Sequence, residues 1–530
     1  MKNLIYKTIL ALMSPVRENL SIFLTLWFGA CSALSFYIFQ HFGVKLMVYY
    51  VFLGAMICYP IVVFISLLNS KLKSIIFNIF FALACINNAA DAISFETTGG
   101  EFGPDQVALI MGTNLGESAE FFQSYFTPHL FLVVLLSVGS CVLLRLALPQ
   151  IIKGKLSTIL GYGILITLAS VVCFTNITKS QSWSTVFLGK YLAFSGYSTP
   201  PDLKDYATSP DISRRPDAIT PSNIVMVIGE SFNRDHSSLY GYTKKTNPEL
   251  SKLEDSGLLL HLDSVTTPAV HTIQAVESIL STYDDRQGGD WLNQTTLFDI
   301  SKAMGYNTTW LSNQSRVGAY DNIVTKYAEL ADSSLWVGLS GLGLMKKDYD
   351  ELLLPYVTEW SRNTDETPRL LLIHMIGSHP EFSGRYPDNY NVFSAEDYDY
   401  SNKRQCKTIS EYDNSILYND AIISNLITSV SDLDAIVLYF PDHGLDLYES
   451  DSRYCGHGKD GIPESVRSAE KIPLWIYVSE KYNVRNPSFI QNLSKIKDKP
   501  VSTADIIYSI ADLMGISLLN GQDVKEKSMF

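Results

Sequence analysis

The sequence predicts a two-part protein, in which five transmembrane helices precede an α/β outer domain built on a mostly parallel sheet. Long apolar runs dominate residues 1–178, whereas residues 223–530 have the mixed composition of a globular domain. In that second part short strand-like runs alternate with helical patterns, which is typical of a parallel sheet covered on both faces. We therefore expect domains at residues 1–178 and 223–530, joined by an interfacial segment and linker at residues 179–222.

The five apolar runs each predict a membrane-spanning helix. They lie at residues 20–40, 46–68, 74–93, 127–148 and 157–177. Each is close to the ~20 residues that an α-helix needs to cross a bilayer. The first run is long and is followed within a few residues by another apolar run, so it is not a cleavable signal.

Charged residues between the runs predict which side of the membrane each connection faces. Lys and Arg precede the first run and lie in the second-to-third and fourth-to-fifth connections, whereas the loop between the third and fourth runs contains five Glu and Asp and no Lys or Arg. The positive-inside rule then places the N-terminus in the cytoplasm and the domain after the fifth helix outside. Lys45, in the first outside turn, is an exception.

The segment between the two parts is predicted to be extended. Residues 198–223 include five prolines, which prevent helix formation. Residues 183–194 are partly amphipathic, so they lie either in the headgroup layer or against the outer domain. The formal net charge of −13 argues against nucleic acid as a partner, because phosphate binding needs basic surface.

Three residues with metal-ligating side chains follow directly on predicted strands. Glu230 follows the run at residues 224–228, and Asp442 and His443 follow the run at residues 435–440. Ligands of open α/β sheets bind beyond the carboxyl ends of the strands, where these residues would lie. Carboxylates with an imidazole suit zinc, with manganese as the alternative. Each residue alone would be an ordinary loop residue, but together they predict a metal site.

The other predicted strands and helices place this site in a larger sheet. The predicted strands cover residues 224–228, 308–311, 370–373, 435–440 and 473–478, and the predicted helices include residues 413–430 and 502–514. Each strand is short, apolar and followed by polar or Gly residues, as buried parallel strands are.

Further histidines and a threonine are candidates for the same chemistry. His379 and His457 lie in Gly- and Ser-rich loops after strand-like segments, and we interpret them as ligands of a second metal ion or of a phosphate. His374 is interpreted as a strand-end packing residue. Thr272 stands at the predicted start of a helix, where a metal-activated hydroxyl could act as a nucleophile. The alternative for Thr272 is a residue that merely occupies a first helical turn.

Six motifs together resemble the phosphoethanolamine transferases of Gram-negative bacteria. They are GESFNRDHSSLYGYTKKTNP at residues 229–248, TTPAVHTIQAVES at 266–278, HMIGSHP at 374–380, YDN at 412–414, PDHG at 441–444 and GHG at 456–458. The resemblance extends through the whole chain. It implies an inner-membrane protein with five helices and a periplasmic, alkaline-phosphatase-like (sulfatase-like) outer domain.

The resemblance also implies a site and a reaction. Glu230, Thr272, Asp442 and His443 would bind one zinc ion, with Thr272 as the nucleophile, and His379 and His457 would hold the substrate phosphate or a second zinc. Thr272 would take phosphoethanolamine from phosphatidylethanolamine and pass it, through a covalent phospho-threonine, to a lipopolysaccharide hydroxyl. In the acidic outer loop, Thr113 and Glu117 resemble residues that the family uses near the lipid headgroup, although a solvated loop is the alternative.

The sequence departs from the family at two points. Leu445 stands where many relatives have Glu, and the outer domain has only two cysteines, Cys406 and Cys455, whose pairing the sequence leaves open. Lipid A-modifying relatives usually carry several disulfides, so we expect a core sugar such as heptose as the acceptor over lipid A. Glycerol phosphate transfer from phosphatidylglycerol, as in the lipoteichoic acid synthases, a sulfatase or phosphodiesterase, and a catalytically inactive membrane-anchored binding protein are the alternatives.

Overall fold

The computed structural model describes residues 11–42, 44–97, 102, 107, 110, 128–151, 201–284, 286–288, 290–314, 323–338, 348–363, 366–450, 455–458 and 462–530. These described residues form two compact units, one before residue 152 and one from residue 201 onward. The predicted boundaries of residues 1–178 and 179–222 fall partly outside the described residues and stay predictions.

The N-terminal unit consists of long apolar helices at four of the five predicted runs. They are α1 (Leu20–Phe42), α2 (Val44–Ser66), α3 (Ser70–Thr97) and α4 (Pro128–Ile151). Among the described residues, the stretches Ser70–Ser94 and Pro128–Pro149 are long and apolar enough to cross a membrane, and shorter apolar stretches lie at Leu20–Ala33 and Gly54–Ser66. The fifth run, residues 157–177, lies outside the described residues, so the number five stays a prediction.

A buried asparagine links three helices of this unit. Asn88 on α3 accepts hydrogen bonds from the hydroxyl of Ser32 at 3.0 Å and the amide of Ala33 at 2.8 Å, both on α1. Its side-chain amide donates to the carbonyl of Ser137 on α4 at 3.2 Å. Lipid tails are as apolar as the helix surfaces, so the hydrophobic effect does not drive helices together in a membrane. Interhelical hydrogen bonds of this kind stabilise their association instead.

The C-terminal unit contains short strands and helices in alternation. Its strands are β1 (Ile212–Arg214), β2 (Asn223–Gly229), β3 (Leu259–His261), β4 (Val265–Thr266), β5 (Asn307–Ser312), β6 (Ser333–Trp336), β7 (Arg369–His374), β8 (Ala435–Pro441), β9 (Asp446–Leu447), β10 (Cys455–Gly456), β11 (Trp475–Val478), β12 (Val501–Ser502), β13 (Ile516–Leu519) and β14 (Gln522–Asp523). Its helices are α5 (Pro248–Asp255), α6 (Thr272–Leu280), α7 (Leu297–Met304), α8 (Ile323–Ala328), α9 (Leu354–Arg362), α10 (Lys403–Val430), α11 (Pro463–Glu470), α12 (Glu480–Arg485), α13 (Pro487–Lys495), α14 (Ile506–Leu513) and α15 (Val524–Lys527).

Seven of these strands form one mixed sheet in the order β3-β11-β8-β2-β7-β5-β6. The five strands from β8 to β6 are mutually parallel, as predicted for four of them. The strand predicted at residues 473–478 is present as β11, but its predicted direction was wrong, because β11 runs antiparallel to both β8 and β3. The reason lies in the connection: the chain leaves β8 and enters β11 at the same edge of the sheet, with no crossover to the opposite edge.

The sheet is buried on both faces, which explains the continuous apolar runs of its central strands. All seven residues of β2 are buried. Ile224, Met226 and Ile228 pack into the core on one face, and Val225 and Val227 pack into the core on the other. Alternate side chains of this strand thus pack into two separate cores, as in parallel sheets that are covered by helices on both faces.

The part of the proline-rich segment that the structure describes packs on the C-terminal unit. Leu203 is 5 % exposed and belongs to one of the two cores. The strand β1 pairs antiparallel with β13. The cysteines Cys406 and Cys455, whose pairing the sequence left open, are free thiols in this unit.

Candidate active site

The candidate site lies where strands β2 and β8 end side by side. The two strands are parallel and in register, so that Gly229 pairs with Pro441. The next residues, Glu230 and Asp442, therefore emerge at the same edge of the sheet. The amide of Asp442 donates to the carbonyl of Gly229 at 3.1 Å, which fixes the two strand ends to one another.

Two glycines allow neighbouring segments to close on Glu230. A Cβ atom at Gly229 would collide with the hydroxyl of Tyr439 on β8. Gly377, in the loop after β7, has a φ of +51°, and a Cβ atom there would lie 2.8 Å from the backbone nitrogen and oxygen of Glu230. Glycine is therefore required at both positions.

Glu230, Asp442 and His443 form a buried cluster, here called the triad. One ligand atom of each residue lies within 4.8 Å of those of the other two, and the residues are 1 % exposed or less. His443 Nε2 is 3.4 Å from Glu230 Oε1 and 3.5 Å from Asp442 Oδ2. Two carboxylates and one imidazole are a donor set that zinc accepts.

Two atoms of the triad are buried without a hydrogen-bond partner among the described residues, Asp442 Oδ2 and His443 Nε2. His443 Nδ1 is 2.7 Å from the carbonyl oxygen of Gly444. Because a carbonyl only accepts, Nδ1 carries a proton, and Nε2 is the ring nitrogen left to bind a cation. Asp442 Oδ1 accepts from the amides of Ser231 and His443 at 3.3 and 2.7 Å. Buried acceptors without donors are unfavourable, and a divalent cation would satisfy both, so the residues fit zinc.

The electrostatics of the triad also favour a cation. Burial, followed by the charge of Asp442, raises the pKa of Glu230 to about 7. Burial raises the pKa of Asp442 to about 6. Two buried carboxylates this close stabilise a positive ion and are destabilised without one.

Thr272 brings a hydroxyl to the triad from a different element. It is the first residue of α6 and is half-buried. Its Oγ1 atom donates to Glu230 Oε2 at a distance of 3.4 Å. The start of a helix favours negative charge, so this position suits an alcohol that must lose its proton.

Three histidine rings lie in a row that begins with His443 of the triad. The ring centroids of His443 and His457 are 4.7 Å apart, and those of His457 and His271 are 4.9 Å apart. Burial lowers the pKa of His271 to about 4, with the charge of His443 as the second cause. Burial and the neighbouring imidazoles likewise lower the pKa of His457 well below its usual value. Both rings are therefore neutral near pH 7, the form in which imidazole binds a metal or accepts a hydrogen bond.

His379 is positioned by an arginine. Arg385 Nε donates to the carbonyl of His379 at 3.0 Å, and Arg385 Nη2 is 3.3 Å from His379 Nδ1. Burial, with the charges of Arg385 and His443 as the next causes, lowers the pKa of His379 to about 3. The ring of His379 is therefore neutral near pH 7, and His443 of the triad contributes to its lowered pKa.

The loop that carries His379 is held by a buried aspartate. Asp350 Oδ1 accepts from the amide of Ile376 and the side chain of Asn313, each at 2.9 Å. Its Oδ2 accepts from the amide of Gly377 at 2.9 Å. Sequence reasoning missed Asp350, because it lies in a 3-10 turn that no strand or motif precedes.

Sequence reasoning also missed residues that contact Glu230. Gln314 Nε2 donates to Glu230 Oε2 and to the carbonyl of Met375, each at 3.0 Å. Ser231 Oγ donates to Glu230 Oε1 at 2.6 Å. Gln314 comes shortly after β5, so the strand-end signal that selected Glu230 could have found it. His271 lay within a quoted motif, directly before Thr272.

Three sequence candidates remain. His374 is buried at the end of β7, with its ring centroid 5.6 Å from that of Trp310, which fits a packing residue. Thr113 and Glu117 lie outside the described residues.

The fold and the site define a class of protein. A sequence model of the family described as Sulfatase matches residues 222–516, more than half of the chain. The chain therefore belongs to the sulfatase family. Within it the chain is similar to the phosphoethanolamine transferases, as its motifs predicted.

The similarity extends to curated and solved relatives. Phosphoethanolamine transferase EptC of Escherichia coli (strain K12) is 25% identical over 448 residues, which are 79% of this chain and 76% of the relative. The crystal structure of the C-terminal periplasmic domain of EcEptC from Escherichia coli in complex with Zn is 26% identical and covers 63% of this chain and 90% of that chain, with a TM-score of 0.55.

A third relative covers both units. The integral membrane protein lipooligosaccharide phosphoethanolamine transferase A (EptA) from Neisseria meningitidis is 20% identical and covers 97% of this chain and 98% of that chain, with a TM-score of 0.66. At this identity the likeness shows the fold alone. That fold combines a membrane domain with an alkaline-phosphatase-like outer domain.

Proposed function

We propose that this protein transfers phosphoethanolamine from phosphatidylethanolamine to a hydroxyl of a lipopolysaccharide acceptor through a covalent phospho-threonine at Thr272. One observation carries the proposal. The hydroxyl of Thr272 donates to Glu230 of a buried triad in which Asp442 Oδ2 and His443 Nε2 have no partner among the described residues. A nucleophilic alcohol and a cation-binding donor set thus lie within hydrogen-bonding distance of one another.

The proposed metal is zinc, held by Glu230, Thr272, Asp442 and His443, with manganese as the alternative. When bound, such a cation supplies positive charge that makes a neighbouring alcohol more acidic and favours its attack near neutral pH. The relative solved in complex with Zn supports this choice. His379 and His457 are proposed to hold the substrate phosphate or a second zinc, and their neutral rings suit either role.

The first half-reaction forms the covalent intermediate. Thr272 Oγ1 attacks the phosphorus of phosphatidylethanolamine, the bond from phosphorus to the diacylglycerol oxygen breaks, and diacylglycerol leaves as an alcohol. Glu230 Oε2 accepts the hydrogen bond of the threonine alcohol in the structure and so orients Oγ1. The N-terminus of α6 favours negative charge on that oxygen.

The second half-reaction returns the enzyme to its starting state. An acceptor hydroxyl attacks the same phosphorus, the bond from phosphorus to Thr272 Oγ1 breaks, and Thr272 regains a proton. Both lipid substrates reside in membranes, which agrees with the apolar helices of the N-terminal unit. We further propose an inner-membrane, multi-pass location with a cytoplasmic N-terminus and a periplasmic catalytic domain, and contacts of Thr113 and Glu117 with the lipid headgroup.

The proposed acceptor is a core sugar such as heptose rather than lipid A. Cys406 and Cys455 are free thiols, so the described part of the outer domain lacks the disulfides that are usual in lipid A-modifying relatives. Mass spectrometry of lipopolysaccharide from cells with and without the gene would test this acceptor. Phosphoethanolamine found only on lipid A would overturn it.

Intact-protein mass spectrometry tests the reaction itself. Purified protein is incubated with phosphatidylethanolamine, with no acceptor present. We expect the protein to gain the mass of one phosphoethanolamine group, with the modification mapped to Thr272. Thr272→Ser, which keeps an alcohol, should still be modified, whereas Thr272→Ala should not.

The same experiment separates the alternatives. A gain of glycerol phosphate from phosphatidylglycerol would identify the glycerol phosphate transferase. No modification by either lipid, together with unchanged cell-surface glycolipid in a Thr272→Ala strain, would identify a catalytically inactive binding protein. The buried triad argues against that last alternative, because a protein without metal chemistry has no need of two unpartnered buried acceptors.

A further inference from the structure

The turn directly after Glu230 has an unusual backbone conformation. Ser231 has a φ of +57°, in the left-handed region that residues with a Cβ atom rarely adopt. Such a conformation persists only where surrounding contacts enforce it. The direction in which Glu230 points depends on this turn, because Ser231 is its immediate neighbour and also bonds to its side chain.

A single tyrosine hydroxyl holds both sides of this turn. Tyr412 Oη donates to the carbonyl of Ser231 at 2.8 Å and accepts from the amide of Asn233 at 2.8 Å. Tyr412 lies on α10 and is fully buried. It therefore links the strained turn to the longest helix of the described C-terminal unit, 28 residues in length.

The ring of Tyr412 is fixed in turn by its neighbours. The ring of His236 meets it edge-on, with centroids 5.2 Å apart and an interplanar angle of 90°, and the ring of Phe382 lies 4.9 Å away at 74°. His236 Nδ1 is 2.7 Å from Asp413 Oδ1. The carboxylate of Asp413 also accepts from the hydroxyl of Tyr242 at 2.7 Å, so the His236 ring cannot rotate freely.

We propose that Tyr412 is a positioning residue for the active site, which holds Ser231 in the left-handed conformation and thereby aims the Glu230 carboxylate at the zinc position. The inference rests on the proposed function. Tyr412 touches neither the triad nor Thr272 in any contact described above, so its effect on the site passes through the backbone of Ser231. Tyr412 is the first residue of the YDN motif, so the proposal gives that residue of the motif a physical role.

The contacts of the turn with the triad show why its conformation matters. The amide of Ser231 donates to Asp442 Oδ1, and the amide of Phe232 donates to the carbonyl of His443 at 3.0 Å. A turn that relaxed to negative φ would redirect these donors and the Glu230 side chain together. Groups that orient metal ligands typically change metal affinity by about 10- to 100-fold when removed.

Zinc affinity of the purified full-length protein in detergent, measured by competition with a chromophoric chelator, tests this proposal without an activity assay. We expect Tyr412→Phe to weaken zinc binding by about 10- to 100-fold. Tyr418→Phe is the matched control: this tyrosine is buried on the same helix, and its hydroxyl accepts from the amide of Glu351 at 3.3 Å. We expect Tyr418→Phe to bind zinc as the unmodified protein does.

A double variant separates the turn from general packing. Glycine adopts a positive φ without penalty. In Ser231→Gly the turn can therefore keep its left-handed conformation without the hydrogen bonds to Tyr412. We expect the effect of Tyr412→Phe to be at least about threefold smaller in the Ser231→Gly background than in the original protein. If Tyr412→Phe alone does not fold, the double variant should fold and bind zinc.

The outcomes are decisive in each case. Equal zinc affinities of Tyr412→Phe and the original protein, or an equal loss in both serine and glycine backgrounds, would overturn the positioning role. A double variant that still does not fold would do the same, because Tyr412 would then act in packing alone. A failure of the original protein to bind zinc would instead overturn the proposed metal, and the two failures are thus distinguishable.

Discussion

Two buried aspartates at the same edge of the sheet have opposite surroundings. Both oxygens of Asp350 accept hydrogen bonds, from Asn313, Ile376 and Gly377 at 2.9 Å each. Asp442 has two amide donors on Oδ1, but its Oδ2 has no donor among the described residues. Both side chains are buried, so burial alone does not distinguish them.

The difference distinguishes a carboxylate suited to a structural role from one suited to the proposed binding of a cation. A buried carboxylate whose two oxygens both accept hydrogen bonds from N–H groups is stabilised by them and fastens loops together. A buried carboxylate oxygen that has no N–H donor and faces an imidazole nitrogen is stabilised by a cation bound between them. The pattern of hydrogen-bond donors, more than the residue type, therefore distinguishes the candidate metal site.

The largest expected effect comes from Asp442→Asn. We expect zinc affinity to fall by about 1000-fold or more, about 4 kcal/mol, because one ligand is lost. The unfolding free energy of the metal-free protein should not fall, since the repulsion between Asp442 and Glu230 is removed. Chelator competition and thermal unfolding after metal removal measure the two quantities.

Asp350→Asn is the matched control with the opposite pattern. Its side-chain amide would face N–H donors, so we expect the unfolding free energy to fall by about 1–3 kcal/mol. Zinc affinity should change by less than about tenfold. An equal loss of zinc affinity in the two variants would contradict the proposal that Asp442 binds the cation and Asp350 has a structural role.

An intermediate effect is expected from pH. The pKa values of Glu230 and Asp442 are raised to about 7 and about 6, above the usual values of about 4 in the unfolded chain. The folded metal-free protein thus holds these protons more tightly. The contribution of these two carboxyl groups to stability should fall as pH rises from about 4 to about 7, by an amount on the order of a few kcal/mol, and level off above. The lowered pKa values of His271, His379 and His457 act in the opposite direction, so the carboxyl contribution is measured as the difference between the original protein and Asp442→Asn.

Zinc should reverse this dependence. Zinc binding displaces the same protons, so zinc affinity should rise as pH increases through about 6 and about 7. Relative to Asp442→Asn, the metal-free stability of the original protein should fall as pH rises over this interval, because the variant lacks one of the two carboxyl groups. An identical pH dependence of metal-free stability in the two proteins would contradict the assignment of the triad.

The smallest expected effect comes from Gln314→Ala. Gln314 donates to Glu230 Oε2 without contributing a charge, so its loss should weaken zinc binding by about tenfold, at the low end for such groups. Gln287→Ala is the control, since this exposed glutamine bonds to Asp284. A loss of a thousandfold for Gln314→Ala would show that the amide, rather than the triad, dominates the site.

The rule that ligands bind at strand ends predicted the central part of the site. Glu230, Asp442 and His443 follow apolar runs that do become parallel strands, and the register of β2 against β8 brings them together. The two-faced burial of β2 likewise follows from its unbroken apolar sequence. These features were predictable because each depends on local sequence and on one general property of parallel sheets.

Other features depend on contacts that no local pattern encodes. The direction of β11 is set by the path of the connection before it, not by its own residues. The support that Asp350 and Tyr412 give to the site arises from segments far away in the chain. The strands β3 and β6 are only three and four residues long, too short for a periodic signal.

The antiparallel β11 has a consequence for how this site can vary. The connection between β8 and β11 begins and ends at the same edge of the sheet. It does not have to cross to the opposite edge, so the sheet sets no minimum length for it. His457 lies on this excursion, beside His443. Residues inserted there could alter the surroundings of the candidate site while every hydrogen bond between β8 and β11 stayed intact, so the proposed acceptor specificity could diverge on an unchanged sheet.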